Sequence, residues 1–232
     1  MKSAKLSSAK GGIGVSLHLR LPVAVECRIG RIAGLLGDKT VDVLSAKKQP
    51  HVALANLPDD EKAVANFVAR WGPMHSTKDY FITARSVKEL LDYPETEAVR
   101  KLAAIYPAAR EFFLDTQWLV IQHRDTLRKA WRADRSAIES MRRHVSANSS
   151  SWNFKSGRIE IGVPDLWTTI CVLFLNDLGR HKAGLCERGA ECPAPYFQKP
   201  RTDQKFCGGA CTDEARKEIK RNWWHQNRGK QK

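Results

Sequence analysis

"CERGAECPAPYFQKPRTDQKFCGGACTDEARKEIKRNWW", Cys186 to Trp224, decides how the C-terminal part of this chain folds. Four cysteines fall within its first 26 residues, spaced C-x5-C-x14-C-x3-C. Two close pairs separated by a loop of this size match a structural zinc site, in which four thiolates surround the metal tetrahedrally. Cys186, Cys192, Cys207 and Cys211 are the candidate ligands, and Zn2+ is the candidate cofactor. The intervening loop is long enough for a hairpin, with Tyr196 and Phe197 as strand and "KPRTDQ" (Lys199 to Gln204) as turn. A helix starting at the second pair puts Cys207 and Cys211 in its turn and first residues, where the dipole and free N–H groups favour thiolate. Knuckle, hairpin and helix together make a treble-clef-like finger. A module of about 45 residues has too little core to fold reliably alone, and a metal commonly fills that gap.

These residues resemble the CGNR-type zinc finger, found at the C-terminus of bacterial stress-linked transcription regulators behind an N-terminal ABATE domain. The likeness covers roughly Cys186 to Trp224: the paired cysteines, the aromatic pair Tyr196-Phe197, the basic loop residue Arg201, Phe206-Cys207 and the basic helix after Cys211. Upstream only the layout is similar. The family's Gly-Asn-Arg after the last cysteine is not kept, since Thr212-Asp213-Glu214 follows Cys211. The resemblance implies DNA binding, transcription regulation and a bacterial, cytoplasmic setting.

Beyond Cys211 the helical spacing produces two stripes. Ala215, Ile219 and Trp223 share one, expected to pack against the hairpin or the N-terminal part. Lys217, Arg221, Trp224 and Arg228 share another, with Arg216 and Lys220 beside it. Thr212 or Asp213 suits the helix cap. With Arg201 and Lys205 of the loop, the second stripe is the candidate nucleic-acid surface: cations track phosphates and an exposed aromatic stacks on a base. One alternative is a solvated face with Trp224 buried against the neighbouring domain; another is a finger that docks a protein partner through Tyr196, Phe197, Trp223 and Trp224.

Bulk composition agrees with a polyanion partner. The 232 residues carry a formal charge of +14, with 42% hydrophobic and 28% charged residues. Half the excess lies in Arg180 to Lys232, where thirteen Lys/Arg face six Asp/Glu. A second basic run, Arg124 to His144, holds seven against three and reads as the solvated side of a long helix. The apolar stretch after the basic N-terminus is broken by His18 and Arg20, so no signal peptide is read. The longest apolar run, Trp167 to Leu175, is far shorter than the roughly 20 residues a membrane span needs. A cytoplasmic protein follows, with reduced cysteines.

Upstream, residues 1–12 read as a flexible tail, 13–180 as one ABATE-like helical domain, 181–228 as the finger and 229–232 as a tail. Val15 to Leu21 alternates like a strand. Pro58 and the acidic Asp59, Asp60 and Glu61 open a helix that Gly72-Pro73 stops, with Val64, Phe67, Val68 and Trp71 on its core face. Helical patterns follow from about Thr83 to Pro94 and from Glu95 to Met141, the latter carrying Phe112, Phe113, Leu119, Val120, Leu127 and Trp131. A hairpin turns at Ser156-Gly157. Pro164 starts an apolar helix closed by Gly179, with Cys171 in its core face. Cys27 stands alone, and His181 and His225 read as exposed. The fold class is α+β: a mostly helical N-terminal domain with a small β-hairpin or sheet, plus the treble-clef-like finger. No nucleophile elbow, Walker loop or H-E-x-x-H appears, and a four-cysteine site leaves no open coordination position, so no enzyme is expected.

Overall fold

The computed structural model describes residues 14–16, 18–28, 31–43, 49–74, 111–148, 151–155, 158–162 and 165–228. The chain begins with strands β1 (Gly14–Ser16), β2 (His18–Arg28) and β3 (Arg31–Asp42). Helices α1 (Pro50–Ala55) and α2 (Glu61–Trp71) follow, then β4 (Glu111–Thr116), α3 (Gln117–Trp131) and α4 (Arg135–Asn148). The hairpin β5 (Ser151–Lys155) and β6 (Arg158–Gly162) leads to α5 (Leu166–Gly179). Last come β7 (Ala183–Leu185), β8 (Tyr196–Gln198) and α6 (Gly209–Asn227). Helices make up most of this regular structure, as the sequence predicts. None of those described is long and apolar enough to cross a membrane.

The strand content goes beyond the expected hairpin. β2, β3 and β4 form an antiparallel sheet with β3 central, and β1 joins the β5–β6 hairpin in parallel through β6. The β2–β3 register shifts on either side of Pro22, whose missing N–H cannot enter the ladder. β5 and β6 pair as the predicted hairpin, with Lys155 opposite Arg158, while the expected turn at Ser156-Gly157 lies outside the described residues. Phe112 and Phe113, expected on a helix, lie instead in β4, opposite Leu35 and Gly34 of β3. The helix expected from Thr83 to Pro94 lies outside the described residues.

Helix α2 forms as its sequence dictates. The Asp60 carboxylate accepts from Ala63 N–H at 2.7 Å, and Gly72 closes the last turn with φ 95°. Val64, Phe67, Val68 and Trp71 are its buried face. Thr116 caps α3, accepting from Leu119 N–H at 3.2 Å. The predicted long helix is two, separated by an elbow at Ala133 (φ 64°) and Asp134. Its basic run is not uniformly solvated. Arg124 is 4% exposed, bonded to Leu57 O, Asp59 and Asp125, while Arg128 reaches Ala55 O and Leu57 O. These guanidiniums satisfy the Ala55 carbonyl at the end of α1 and the Leu57 carbonyl just beyond it.

Helix α5 is apolar on most sides and runs through the core, burying Leu166, Trp167, Ile170, Cys171, Leu173 and Phe174. Asp165, not Pro164, caps it, accepting from Thr168 N–H at 2.6 Å. Its C-terminus is closed beyond Gly179 by His181 in the left-handed region. Around α5 gather Val64, Val68, Val120, Leu127, Met141 and Tyr196. Tyr196 belongs to β8 and carries this core to the cysteine-rich segment.

Candidate metal centre

The first two cysteines lie between β7 and β8. Gly184 faces Phe197 in this two-stranded ribbon. A side chain at Gly184 would put a Cβ 2.8 Å from the Phe197 ring, so glycine permits that ring to lie across the ribbon. Beyond β7 the knuckle closes on itself: Gly189 N–H donates to Cys186 O at 3.0 Å and Cys192 N–H to Gly189 O at 3.1 Å. Gly189 takes φ 55°, which a glycine adopts without cost. Cys186 N–H donates to Pro195 O at 2.8 Å, joining the knuckle to the entry of β8.

The hairpin is therefore built differently from the sequence expectation. Tyr196 and Phe197 are a strand, but their partner is Ala183–Leu185, upstream of Cys186. Residues 199–206 form an irregular loop, held by Gln204 Nε2–H donating to Phe206 O at 2.7 Å and Glu187 N–H donating to Lys205 O at 3.0 Å. The ribbon alternates faces as a strand must. Tyr196 points into the main core, and Phe197 packs on the cysteines with Phe206.

The second pair follows the predicted placement. Cys207 precedes α6 and Cys211 sits in its first turn. The cap differs: Gly208 occupies the N-cap, while the Thr212 hydroxyl donates to Gly208 O at 2.9 Å.

All four sulfurs lie within 4.8 Å of one another. Cys192 to Cys207 is 3.5 Å, Cys207 to Cys211 3.6 Å and Cys211 to Cys192 3.7 Å. Four thiolates about 2.3 Å from a tetrahedral zinc sit about 3.8 Å apart, whereas disulfide sulfurs sit about 2.05 Å apart. The cysteines are free thiols at metal-ligand spacing. Cys186, Cys192 and Cys211 are buried, and Cys207 is partly so.

Their electrostatics favour a cation. Burial pushes the thiols of Cys192 and Cys207 up, and for Cys207 the neighbouring sulfurs push the same way. At Cys186 burial also opposes ionisation, but backbone N–H groups of Cys207 and Arg188 together with the Cys192 and Cys211 thiols hold it below its ordinary value. Ionising all four thiols at this spacing requires a compensating cation among them. Arg188, inside the knuckle, pairs with Glu191 at 2.7 Å and also interacts with the Cys211 sulfur. Its position in "CERGAEC" is the one sequence signal for that role.

Other residues fall where they contribute nothing to the cluster. Cys171 is buried in α5, where burial pushes its thiol up. The Cys27 side chain lies outside the described residues. His181 and His225 are exposed and outside the sulfur cluster, as predicted.

Arg201, Lys205, Arg216, Lys217, Lys220, Arg221, Trp224 and Arg228 are all exposed. Lys205 pairs with Glu187 at 3.1 Å, Lys217 with Glu214 at 2.8 Å and Arg216 with Asp213 at 3.7 Å. Among the described residues, Lys220, Arg221 and Arg228 have no carboxylate within 4.0 Å. The stripe of Ala215, Ile219 and Trp223 does not pack as expected: Ile219 is 68% and Trp223 55% exposed. Cys211 is the one buried residue of α6, because the helix is held at its first turn and projects from there.

Fold and site together define a mixed α/β protein with a four-cysteine cluster able to hold a metal ion. No family model, curated protein or solved structure matches the chain.

Proposed function

We propose that this protein is a zinc-dependent nucleic-acid-binding protein, a transcription regulator in which a treble-clef-like finger presents α6 to DNA. The observation that carries the reading is the four-sulfur cluster at the root of an exposed helix whose distal part is basic. From Ala215 to Arg228, five Lys/Arg face one acid, Glu218. Zinc suits four sulfur ligands in a closed site, and a reducing cytoplasm keeps them as thiols. The reading also keeps the CGNR-type resemblance, with the N-terminal part as a sensing or assembly domain.

The metal fixes where α6 starts and hence where its cations point. Four thiolates and one zinc contribute about −2, so a surplus of seven in residues 180–232 falls to about five. Five phosphate contacts on duplex DNA correspond to a log–log salt slope of about −4.5.

A second reading, docking of a protein partner, draws on the exposed Ile219 and Trp223. One experiment separates the two. Purified protein is expected to carry one zinc per chain and to bind DNA with that salt slope. Cys207→Ser should lose both properties, and Lys217→Glu with Arg221→Glu should lose DNA binding while keeping zinc. Zinc-loaded protein that ignores polyanions at low salt overturns the reading, and partner binding that survives the charge reversal favours the second.

A further inference from the structure

We infer that the α6 surface takes unpaired bases: its nucleic-acid ligand is single-stranded, and Trp224 is the stacking platform. This rests on the nucleic-acid reading above and names the form of ligand it takes. Helical spacing puts Lys217, Lys220, Arg221 and Arg228 at i−7, i−4, i−3 and i+4 from Trp224, so the indole is the centre of the basic face. Trp224 is 54% exposed there. Trp223, 55% exposed, meets it edge to face, the ring centroids 5.5 Å apart and the planes at 84°. Two indoles at nearly a right angle, with about half their surface open, form a corner for a flat apolar ring. The cations around it match the phosphates that accompany such a ring.

A paired duplex offers this corner little. Its bases are stacked on one another, so their faces are closed and only groove edges are presented. Adenine edges are read by Asn or Gln side chains. On α6 those residues are placed against that use. Asn222 and Gln226 fall on the face opposite Trp224 by helical spacing. Asn227 donates its side-chain amide to Trp223 O at 2.8 Å and is thereby occupied. What the basic face does present is charge for a backbone and an aromatic for a base, the combination that binds single strands with little regard to sequence.

The test uses full-length, zinc-loaded protein. Fluorescence anisotropy compares a labelled strand of about 20 nucleotides with no self-pairing, made as DNA and as RNA, against the duplex of the same sequence. Either single strand should bind about tenfold more tightly than the duplex, and the DNA and RNA arms separate the two sources of unpaired base. Trp224→Ala should weaken single-strand binding about 5- to 150-fold, lower duplex affinity much less and leave the salt slope, set by the cations, unchanged. Trp224→Phe should restore most of the loss, and unchanged zinc content shows that both variants are folded. Equal or tighter duplex binding, or an alanine variant that affects both forms alike, overturns the single-strand inference and leaves the DNA reading standing. Absence of binding to every polyanion overturns both.

Discussion

His181 flanks the cysteines and is a metal ligand by type, yet its backbone assigns it another task. It takes φ 56° directly after the C-cap of α5. Its N–H donates to Leu178 O at 3.0 Å, and Lys182 N–H donates to Asp177 O at 2.7 Å. That pair of bonds is the Schellman closure, which favours glycine because a Cβ is crowded in the left-handed region. The side chain is exposed, so nothing offsets that crowding. His181→Gly relieves it and loses part of the gain to a more flexible unfolded chain. The expected net effect is stabilisation by about 0.5–1 kcal/mol. Denaturant unfolding should show a higher midpoint at constant slope, with the metal content per chain unchanged. Lost metal would make His181 a ligand after all.

At the scale of elements, the elbow between α3 and α4 has a pH dependence of fixed sign. Asp134 starts α4 by accepting from Ala137 N–H at 2.9 Å and from the Ser136 hydroxyl at 2.7 Å. Those donors, the Ala137 amide first, hold its carboxyl below the usual range. A depressed folded value contributes stability above the unfolded pKa, about 3.9, and loses it as pH falls through the folded value. Asp134→Ala should therefore have a lower unfolding midpoint than the parent at pH 6, and the gap should close in acid. A gap independent of pH would show that the carboxylate charge has no part in the cap. Elements of this local kind were legible in the sequence. The α2 caps, its four-residue apolar stripe, the β5–β6 pairing and the four-cysteine set all follow from local spacing. Elements decided at a distance were not. Phe112 and Phe113 fit a helical stripe as well as a strand, and only pairing with Leu35 and Gly34 settles them. Tyr196 and Phe197 read as strand, but Ala183–Leu185 becomes their partner because the knuckle folds back over Pro195. The stripe of Ala215, Ile219 and Trp223 reads as core because periodicity reports amphipathicity, not whether anything lies opposite.

At the scale of the molecule, the four-cysteine cluster is joined to the helical body through the β7–β8 ribbon, and Asn56 makes two of the bonds that do it. Asn56 follows α1 and uses its side-chain amide as a neighbouring strand would use a peptide. Tyr196 N–H donates to its Oδ1 at 3.2 Å, and its Nδ2 donates to Tyr196 O at 2.6 Å. Trp131 adds an indole N–H to Gly184 O at 2.8 Å on the other strand. Asp177, 2% exposed, accepts from Gln198 at 2.9 Å and from His51 at 2.9 Å, joining β8 to α1 and α5. Tyr196 is 3% exposed, so Asn56→Ala leaves its N–H and C=O without that partner in a place water reaches poorly. Each unsatisfied buried group costs about 1–3 kcal/mol. The ribbon that carries Cys186 and Cys192 should open more often, which would release a metal held by the four cysteines. With zinc bound as proposed, Asn56→Ala should transfer it to a competing chelator at least about tenfold faster than the parent, since 1.4 kcal/mol is a factor of ten. Far-ultraviolet circular dichroism should meanwhile keep its helical signal, because most of the core around α2 to α5 lies away from β8 and shares only Tyr196 with it. Unchanged transfer would mean that the finger holds its metal independently of the body. Loss of the helical signal together with the metal would mean that Asn56 supports the whole fold, not the ribbon alone.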